Sequence, residues 1–284
     1  MQKTFLNKKF GLINISNSTN IKRAIQDTSD YPKIIYLPKN TEIILDFEKF
    51  KHEEASLFFI SNTQQYELPT FIKSSGAIIL YFNRDFYCVQ IHDKEVSCDG
   101  ILFNNVFNAT SVLLFKQDNL NIVKTIKEIK KEYESDDIAT EEMLRILLKK
   151  IIITATRIYK KINGLAANNV NNDDINFLRK FSQLVETHFY QNHAVADYAS
   201  LLHTTSKNLT KKINLAGLKS PSQIIKDRIL LEAKRYLTHT NYSVKEVAYK
   251  LGYEDEAYFN RLFSSYSKAT PSQFRKSFQN FYER

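Results

Sequence analysis

One pattern of apolar and small residues occurs twice in the last hundred residues of this 284-residue chain, and it leaves little freedom for how that part folds. Val195, Tyr198, Ala199 and Leu202 are separated by three, one and three positions, and Val244, Val247, Ala248 and Leu251 repeat those spacings 49 residues later. Such spacing places the four side chains on one face of a short helix. Each short helix is followed by an apolar pair four apart, Leu209 and Ile213 in the first copy, Phe259 and Phe263 in the second, at an offset of 50. The offset stays at 50 where Ser220-Pro221-Ser222-Gln223 is matched by Thr270-Pro271-Ser272-Gln273, a capping residue with proline in the first helical turn. Each copy therefore reads as two helices joined by a tight turn and closed by a capped third.

Two such helices cross steeply and need a small residue at their close approach, a place that Ala199 and Ala248 fill. In the second copy Gly252 follows Leu251, where a helix ends in a left-handed residue, and Asp255 is positioned to cap the next helix. The first copy has His203-Thr204 at the turn, with Thr204 or Thr205 as the cap. Pro221 to Thr238 forms a helix joining the copies.

The stretch VKEVAYKLGYEDEAYFNRLFSSYSKATPSQFR, Val244 to Arg275, resembles the signature of the AraC/XylS family. In that family an aromatic follows the turn glycine (here Tyr253), a Phe-x-Arg-x-Phe run follows (Phe259 to Phe263), and a Thr-Pro-x-x-aromatic-Arg ending closes the unit (Thr270 to Arg275). The resemblance covers about Phe177 to Phe278. Two positions depart from it. Ser264-Ser265 stands in place of a basic pair, and Lys268 in place of a glycine.

The resemblance implies sequence-specific recognition of double-stranded promoter or operator DNA. The second helix of each unit enters the major groove, where base edges present distinguishable donors and acceptors. With Leu209 and Ile213 turned inward, Lys207, Asn208, Thr210, Lys211 and Lys212 face or flank the groove; with Phe259 and Phe263 inward, Glu256, Ala257, Asn260 and Arg261 do. Charge agrees. From Phe177 to Arg284 there are 17 Lys/Arg and 9 Asp/Glu, so eight of the nine net positive charges of the chain lie there.

The N-terminal part reads differently. KIIYLP, TEIILDF, SLFFIS, AIILYFN, FYCVQI and ILFNNV, between Ile34 and Asn105, are short β-rich runs separated by turn residues such as Asn83-Arg84-Asp85, the pattern of a barrel or sandwich. Two amphipathic helices follow, with apolar residues at Ile122, Ile126, Ile129 and Tyr133, then Leu144, Leu147, Leu148, Ile151, Ala155 and Ile158. The second stripe is suited to pack on the barrel or on a second copy of itself. NGLAANNVNNDD, Asn163 to Asp174, lacks apolar periodicity and reads as a linker.

The whole is thus expected to be α+β. A cupin-like β-barrel with dimerisation helices occupies residues 1–162, a linker 163–174, and an all-α domain of two helix-turn-helix units joined by a linker helix 175–284. The cupin-like reading rests on analogy with AraC-type regulators, which also implies a homodimer, RNA polymerase as a candidate partner and a small-molecule effector of unreadable identity. A constitutive regulator without effector is the alternative. Phe58, Phe59, Phe71, Tyr81, Phe82, Phe86 and Tyr87 either line a ligand cavity or fill a core.

Catalysis is not expected, although cupin-like barrels also house enzymes. There is no Gly-rich phosphate loop and no Ser or Cys with a convincing activating partner. His52-Glu53-Glu54 and an isolated His92 do not make the His-x-His set of a metal-binding cupin, so neither metal nor cofactor is expected. Cys88 and Cys98 read as reduced structural thiols. No run reaches eighteen apolar residues, and MQKTFLNKKFGLINIS lacks a leader's apolar core, so a cytoplasmic protein without membrane contact is expected.

Overall fold

The computed structural model describes residues 2–5, 8–16, 20–62, 64–69, 76–87, 102–103, 110–162, 172–216 and 218–282. The chain divides into two compact units, Met1–Asn169 and Val170–Arg284. The first is mixed α and β and the second is all-helical among the described residues, so the fold class is α+β.

In the first unit, six strands form a sheet in the order β1-β2-β8-β3-β6-β9, where β1 is Gln2–Phe5, β2 Lys8–Asn14, β3 Lys33–Leu37, β6 Ala55–Ile60, β8 Ile78–Phe82 and β9 Thr110–Leu114. Every pairing in it is antiparallel. A second sheet has the order β5-β4-β7, from β4 Thr41–Leu45, β5 Glu48–His52 and β7 Tyr66–Glu67. Neither sheet closes on itself among the described residues, where a cupin-like barrel was expected.

Both faces of the large sheet are covered, which explains why its central strands read as continuous apolar runs rather than as alternating ones. Ile34 and Tyr36 of β3, Leu57 and Phe59 of β6, and Leu80 and Phe82 of β8 enter one core. Ile35 and Leu37, Phe58 and Ile60, and Ile79 and Tyr81 point the other way, into a core shared with Ile43 and Leu45 of β4 and Ile21 of a short helix, α1 (Ile21–Thr28).

The helices α3 (Lys116–Tyr133) and α4 (Thr140–Ile162) occur where their periodicity puts them. The α4 stripe, Leu144, Leu147, Leu148, Ile151, Ala155 and Ile158, is buried in the first core with Phe10, Leu12 and the sheet residues. Of its two expected uses, that stripe packs on the sheet of its own chain and is not free to meet a second copy.

One strand is corrected. Phe86 and Tyr87 lie in a short helix, α2 (Arg84–Tyr87), instead of opening the run FYCVQI. The Asn83 side-chain oxygen accepts from the Phe86 N–H at 3.0 Å and the Lys9 N–H at 2.8 Å, which turns the chain inward before a strand can begin. Leu102 and Phe103, within ILFNNV, form a buried turn. The rest of both runs, with Cys88, His92 and Cys98, lies outside the described residues, as does Phe71. The other six aromatics considered for a cavity are core residues with at most 8% exposure. His52 stacks on Phe58 and Glu54 pairs with Lys39 at 2.8 Å. No group of three or more His, Cys, Asp or Glu among the described residues is placed to hold a metal ion, and no described helix is long and apolar enough to cross a membrane.

The second unit contains α5 (Asn172–His188), α6 (Val195–Leu201), α7 (Ser206–Leu215), α8 (Pro221–His239), α9 (Val244–Lys250), α10 (Glu256–Ser267) and α11 (Pro271–Tyr282). Asn172 to Asp174, expected as linker, already belong to α5; residues 163–171 lie outside the described set. Its core is the repeat itself. Tyr198, Leu209, Ile213, Val247, Ala248, Leu251, Phe259 and Phe263 are fully buried, with Phe181 and Val185 of α5 and Ile224, Ile225 and Ala233 of α8.

Candidate nucleic-acid interface

The duplication is matched bond for bond at the turns. In the first copy the Thr204 N–H donates to the Ala199 carbonyl at 2.9 Å; in the second, the Tyr253 N–H donates to the Ala248 carbonyl at 3.0 Å. These six-to-one bonds satisfy carbonyls left open where a helix stops. Reversing the chain this way needs a left-handed residue, and Gly252 supplies it at φ +80° while His203 takes the equivalent place at φ +51°. The glycine is doubly required, because a Cβ at position 252 would lie 2.1 Å from the Tyr190 carbonyl oxygen.

The helices that follow are capped as their sequences imply. Thr205, one of the two residues considered, accepts from the Asn208 N–H at 3.1 Å to start α7. Asp255 accepts from the Ala257 N–H at 2.7 Å to start α10. Ser220 caps α8 with Pro221 in its first turn, and Thr270 and Gln273 exchange hydrogen bonds at the head of α11. The third helix of each copy is thereby fixed to its turn.

Leu209 and Ile213 anchor the inner face of α7, which leaves Lys207, Asn208 and Lys211 exposed and Thr210 half-buried. Asn208 donates to the Thr204 hydroxyl at 2.8 Å, and the Thr210 hydroxyl donates back to the Ser206 carbonyl at 2.8 Å. Lys212 is drawn to the flank, where its ammonium donates to the Asp174 carboxylate of α5 and lies 5.0 Å from the Phe177 ring centre. The structure therefore gathers Lys207, Asn208, Thr210 and Lys211 on one polar face and gives Lys212 an intramolecular partner.

On α10, Phe259 and Phe263 point inward, Ala257 and Arg261 are exposed, and Glu256 and Asn260 are half-buried. At 100° per residue, Ala257 and Arg261 stand opposite the buried pair, with Glu256 and Asn260 toward one edge. Arg261 has its guanidinium 3.9 Å from Asp255, an exposed pairing that holds it only weakly. The two faces differ in charge. α7 carries Lys207 and Lys211 with no acid on its face, and Lys212 at its flank, whereas α10 offers one arginine against Glu256, so the first face is the more positive.

Tyr258 joins this face and was not found from the sequence. It is 52% exposed, with its ring held 5.8 Å from that of Tyr253. Its neighbour Phe259 carries the inward periodicity, so an aromatic beside it reads as more core. The departures from the family pattern also have a shape: the Ser265 hydroxyl donates to the Leu262 carbonyl at 2.7 Å, and Lys268 ends α10 in the left-handed region at φ +54°.

Beneath the faces, α8 is held by charge. Arg228, 6% exposed, donates to Glu186 of α5 and to Glu232, each at 2.9 Å. Burial works against its proton, but the two carboxylates hold its pKa above the ordinary arginine value. Arg275 of α11 donates to the Leu237 carbonyl in the last turn of α8, where a helix leaves its carbonyls open, and to the Tyr242 carbonyl in the connection beyond it.

Residues 198–277 match the family model described as a helix-turn-helix domain. The urease operon transcriptional activator of Escherichia coli is 38% identical over 79 residues, which cover 28% of this chain and 26% of that protein. An HTH-type transcriptional regulator of Staphylococcus aureus strain MRSA252 is 20% identical over 83% of this chain and 33% of its own length, and the TCP pilus virulence regulatory protein of Vibrio cholerae is 22% identical over 64% and 62%. The chain thus spans only about a quarter to a third of the first two relatives. Among solved structures, unsaturated fatty acid-bound ToxT from Vibrio cholerae aligns over 97% of each chain with 16% identity and a TM-score of 0.42. The chain thus carries a C-terminal helix-turn-helix domain similar to that of these transcriptional regulators.

Proposed function

We propose that this chain is a sequence-specific DNA-binding transcription regulator that uses α7 and α10 as recognition helices. The observation that carries the reading is the pair of polar helix faces, each standing opposite a buried apolar pair at the same place in a duplicated, identically bonded unit. Lys207, Asn208, Thr210 and Lys211 serve one sub-site, with Lys212 at its flank. Glu256, Ala257, Asn260 and Arg261 serve the other. Lys and Arg pair with guanine, Asn with adenine, and Glu accepts from cytosine, so the set is able to discriminate bases. The joining helix α8 spans about 28 Å, close to the ~34 Å repeat of the duplex, which suits two successive major grooves. Its relatives named as transcriptional regulators support the same reading.

The N-terminal unit, domain 1–162 in this reading, is the seat of control. A small-molecule effector acting across the linker, shortened to 163–171 because α5 begins at Asn172, changes how many recognition helices engage DNA together. A cupin-like ancestry of this unit, a homodimer, a contact with RNA polymerase and a cytoplasmic location complete the proposal by analogy with the family. Dimerisation then uses a surface other than the buried α4 stripe. Constitutive binding without an effector is distinguished by a thermal-shift screen in which no small molecule stabilises the protein.

Selection of bound sites from random duplex DNA by the full chain tests the proposal. A site of two parts about one helical turn apart, bound more weakly as salt rises, is expected. Recovery of unrelated sequences at every salt concentration overturns it.

A further inference from the structure

The segment between α5 and α6 grips both copies of the repeat. On one side, the Tyr198 hydroxyl of α6, on a side chain with no exposed surface, donates to the Asn192 carbonyl at 2.9 Å. On the other, His193 Nε2 lies 2.9 Å from the Leu251 carbonyl oxygen, which only accepts, so the ring nitrogen is the donor. The His193 ring sits 4.5 Å from that of Tyr253, and the Tyr190 carbonyl closes on Gly252 so tightly that no Cβ fits between them. The segment is itself folded into a turn, with Gln191 and Asn192 N–H groups both donating to the His188 carbonyl at 2.9 Å. Two consecutive residues, Asn192 and His193, thus tie the first recognition unit to the turn of the second, by a route independent of α8.

We infer that His193 is a positioning residue that sets the spacing between the two recognition helices, so that the chain reads its two sub-sites at one separation only. The inference rests on the DNA reading above. A single joining helix fixes a distance but leaves twist and bend open at its ends; a second tie across the turn of the other unit removes those freedoms. The penalty for a wrongly spaced site then appears as lost simultaneous engagement, which multiplies the weak affinities of the separate units.

The test measures binding of the full chain to duplexes carrying the selected sub-sites at their natural spacing and with two base pairs inserted. For the wild type, insertion is expected to weaken binding by about tenfold or more. His193→Ala should weaken binding at the natural spacing while leaving the inserted duplex nearly unchanged, shrinking the ratio to about threefold or less. His193→Gln, whose amide still donates to the Leu251 carbonyl, should restore the ratio. Should His193→Ala fail to fold, Tyr198→Phe loosens the same segment from its other side and should shrink the ratio too. An unchanged ratio in whichever variant folds overturns the spacing role while the DNA reading stands. A wild type that binds no duplex overturns the DNA reading and the spacing role together.

Discussion

Arg228 of α8 donates through Nε to the Glu186 carboxylate of α5 at 2.9 Å, and its guanidinium carbon lies 3.9 Å from the centre of the Phe189 ring. The joining helix is therefore seated on α5 by a buried cation with an acid on each side and an aromatic against its face. Removing the cation strips Glu186 of this partner and leaves Glu232 with Arg235 at 3.3 Å alone to offset it. Arg228→Ala should destabilise the protein by about 3 kcal/mol, read as a lower urea midpoint. Arg228→Lys should recover only part of the loss, since a single ammonium does not offer the fork that serves both carboxylates.

Lys268 pays for its left-handed backbone without a visible gain. At φ +54° its N–H donates to the Ser264 carbonyl at 3.0 Å to close α10, and its side chain is exposed. Glycine carries no Cβ penalty in that conformation. Lys268→Gly should therefore stabilise the chain by about 0.5–1 kcal/mol, a rise in thermal midpoint that Lys268→Ala should not produce.

Gly252 is the opposite case. A side chain there meets both a positive φ and the Tyr190 carbonyl 2.1 Å from the new Cβ. Gly252→Ala should cost about 3 kcal/mol or more, because backbone must move as well as twist. Unfolding curves showing a loss below about 1 kcal/mol, the size of the φ penalty alone, would contradict the close approach.

Lys33, on β3, has no exposed surface and no hydrogen-bond partner for its ammonium among the described residues; its nearest support is the Tyr66 ring, 5.3 Å away. Burial lowers its pKa from 10.5 to about 8, against the pull of Asp30. The folded chain thus holds this proton less tightly than the unfolded chain. The penalty, roughly 3 kcal/mol, is full below about pH 8 and fades as the pH rises to 10.5. Stability should rise across that window. Lys33→Met should be more stable than wild type at pH 7 by about 1–3 kcal/mol and should lose this pH dependence, as paired melts at pH 7 and pH 9.5 would show.

Lys211 stands on α7 and Asn260 on α10, the two helices proposed to read DNA. Lys211→Ala should alter base preference in one sub-site and Asn260→Ala in the other, each by about 1–3 kcal/mol at the affected base pair. Binding to panels of single-base variants checks this. A loss uniform across sequences, with a shallower salt slope, would assign those side chains to phosphate.

The C-terminal domain was legible because its information is local. Spacings of three and four, a glycine at the turn and a Thr-Pro cap each act within one or two helical turns, so Val247, Ala248, Phe259 and Phe263 could be assigned inward from the string of residues alone. The N-terminal unit was less so. Phe86 read as strand until the Asn83 side chain, bonded also to Lys9 far away in sequence, drew it into a helix. Likewise, periodicity identified the α4 stripe as apolar but could not choose between a sheet and a second copy as the surface that covers it.

By itself the amino-acid order determined where helices start, turn and stop in the repeat, and which of their faces are polar, since those outcomes follow from backbone conformation and hydrogen bonds between near neighbours. Tertiary structure alone decided that Lys212 turns to Asp174 instead of standing free, that Tyr258 is exposed, that Arg228 lies between two acids, and that His193 reaches the turn of the second unit. Those depend on contacts between residues tens of positions apart, whose energies come into being only when the helices pack and exclude water.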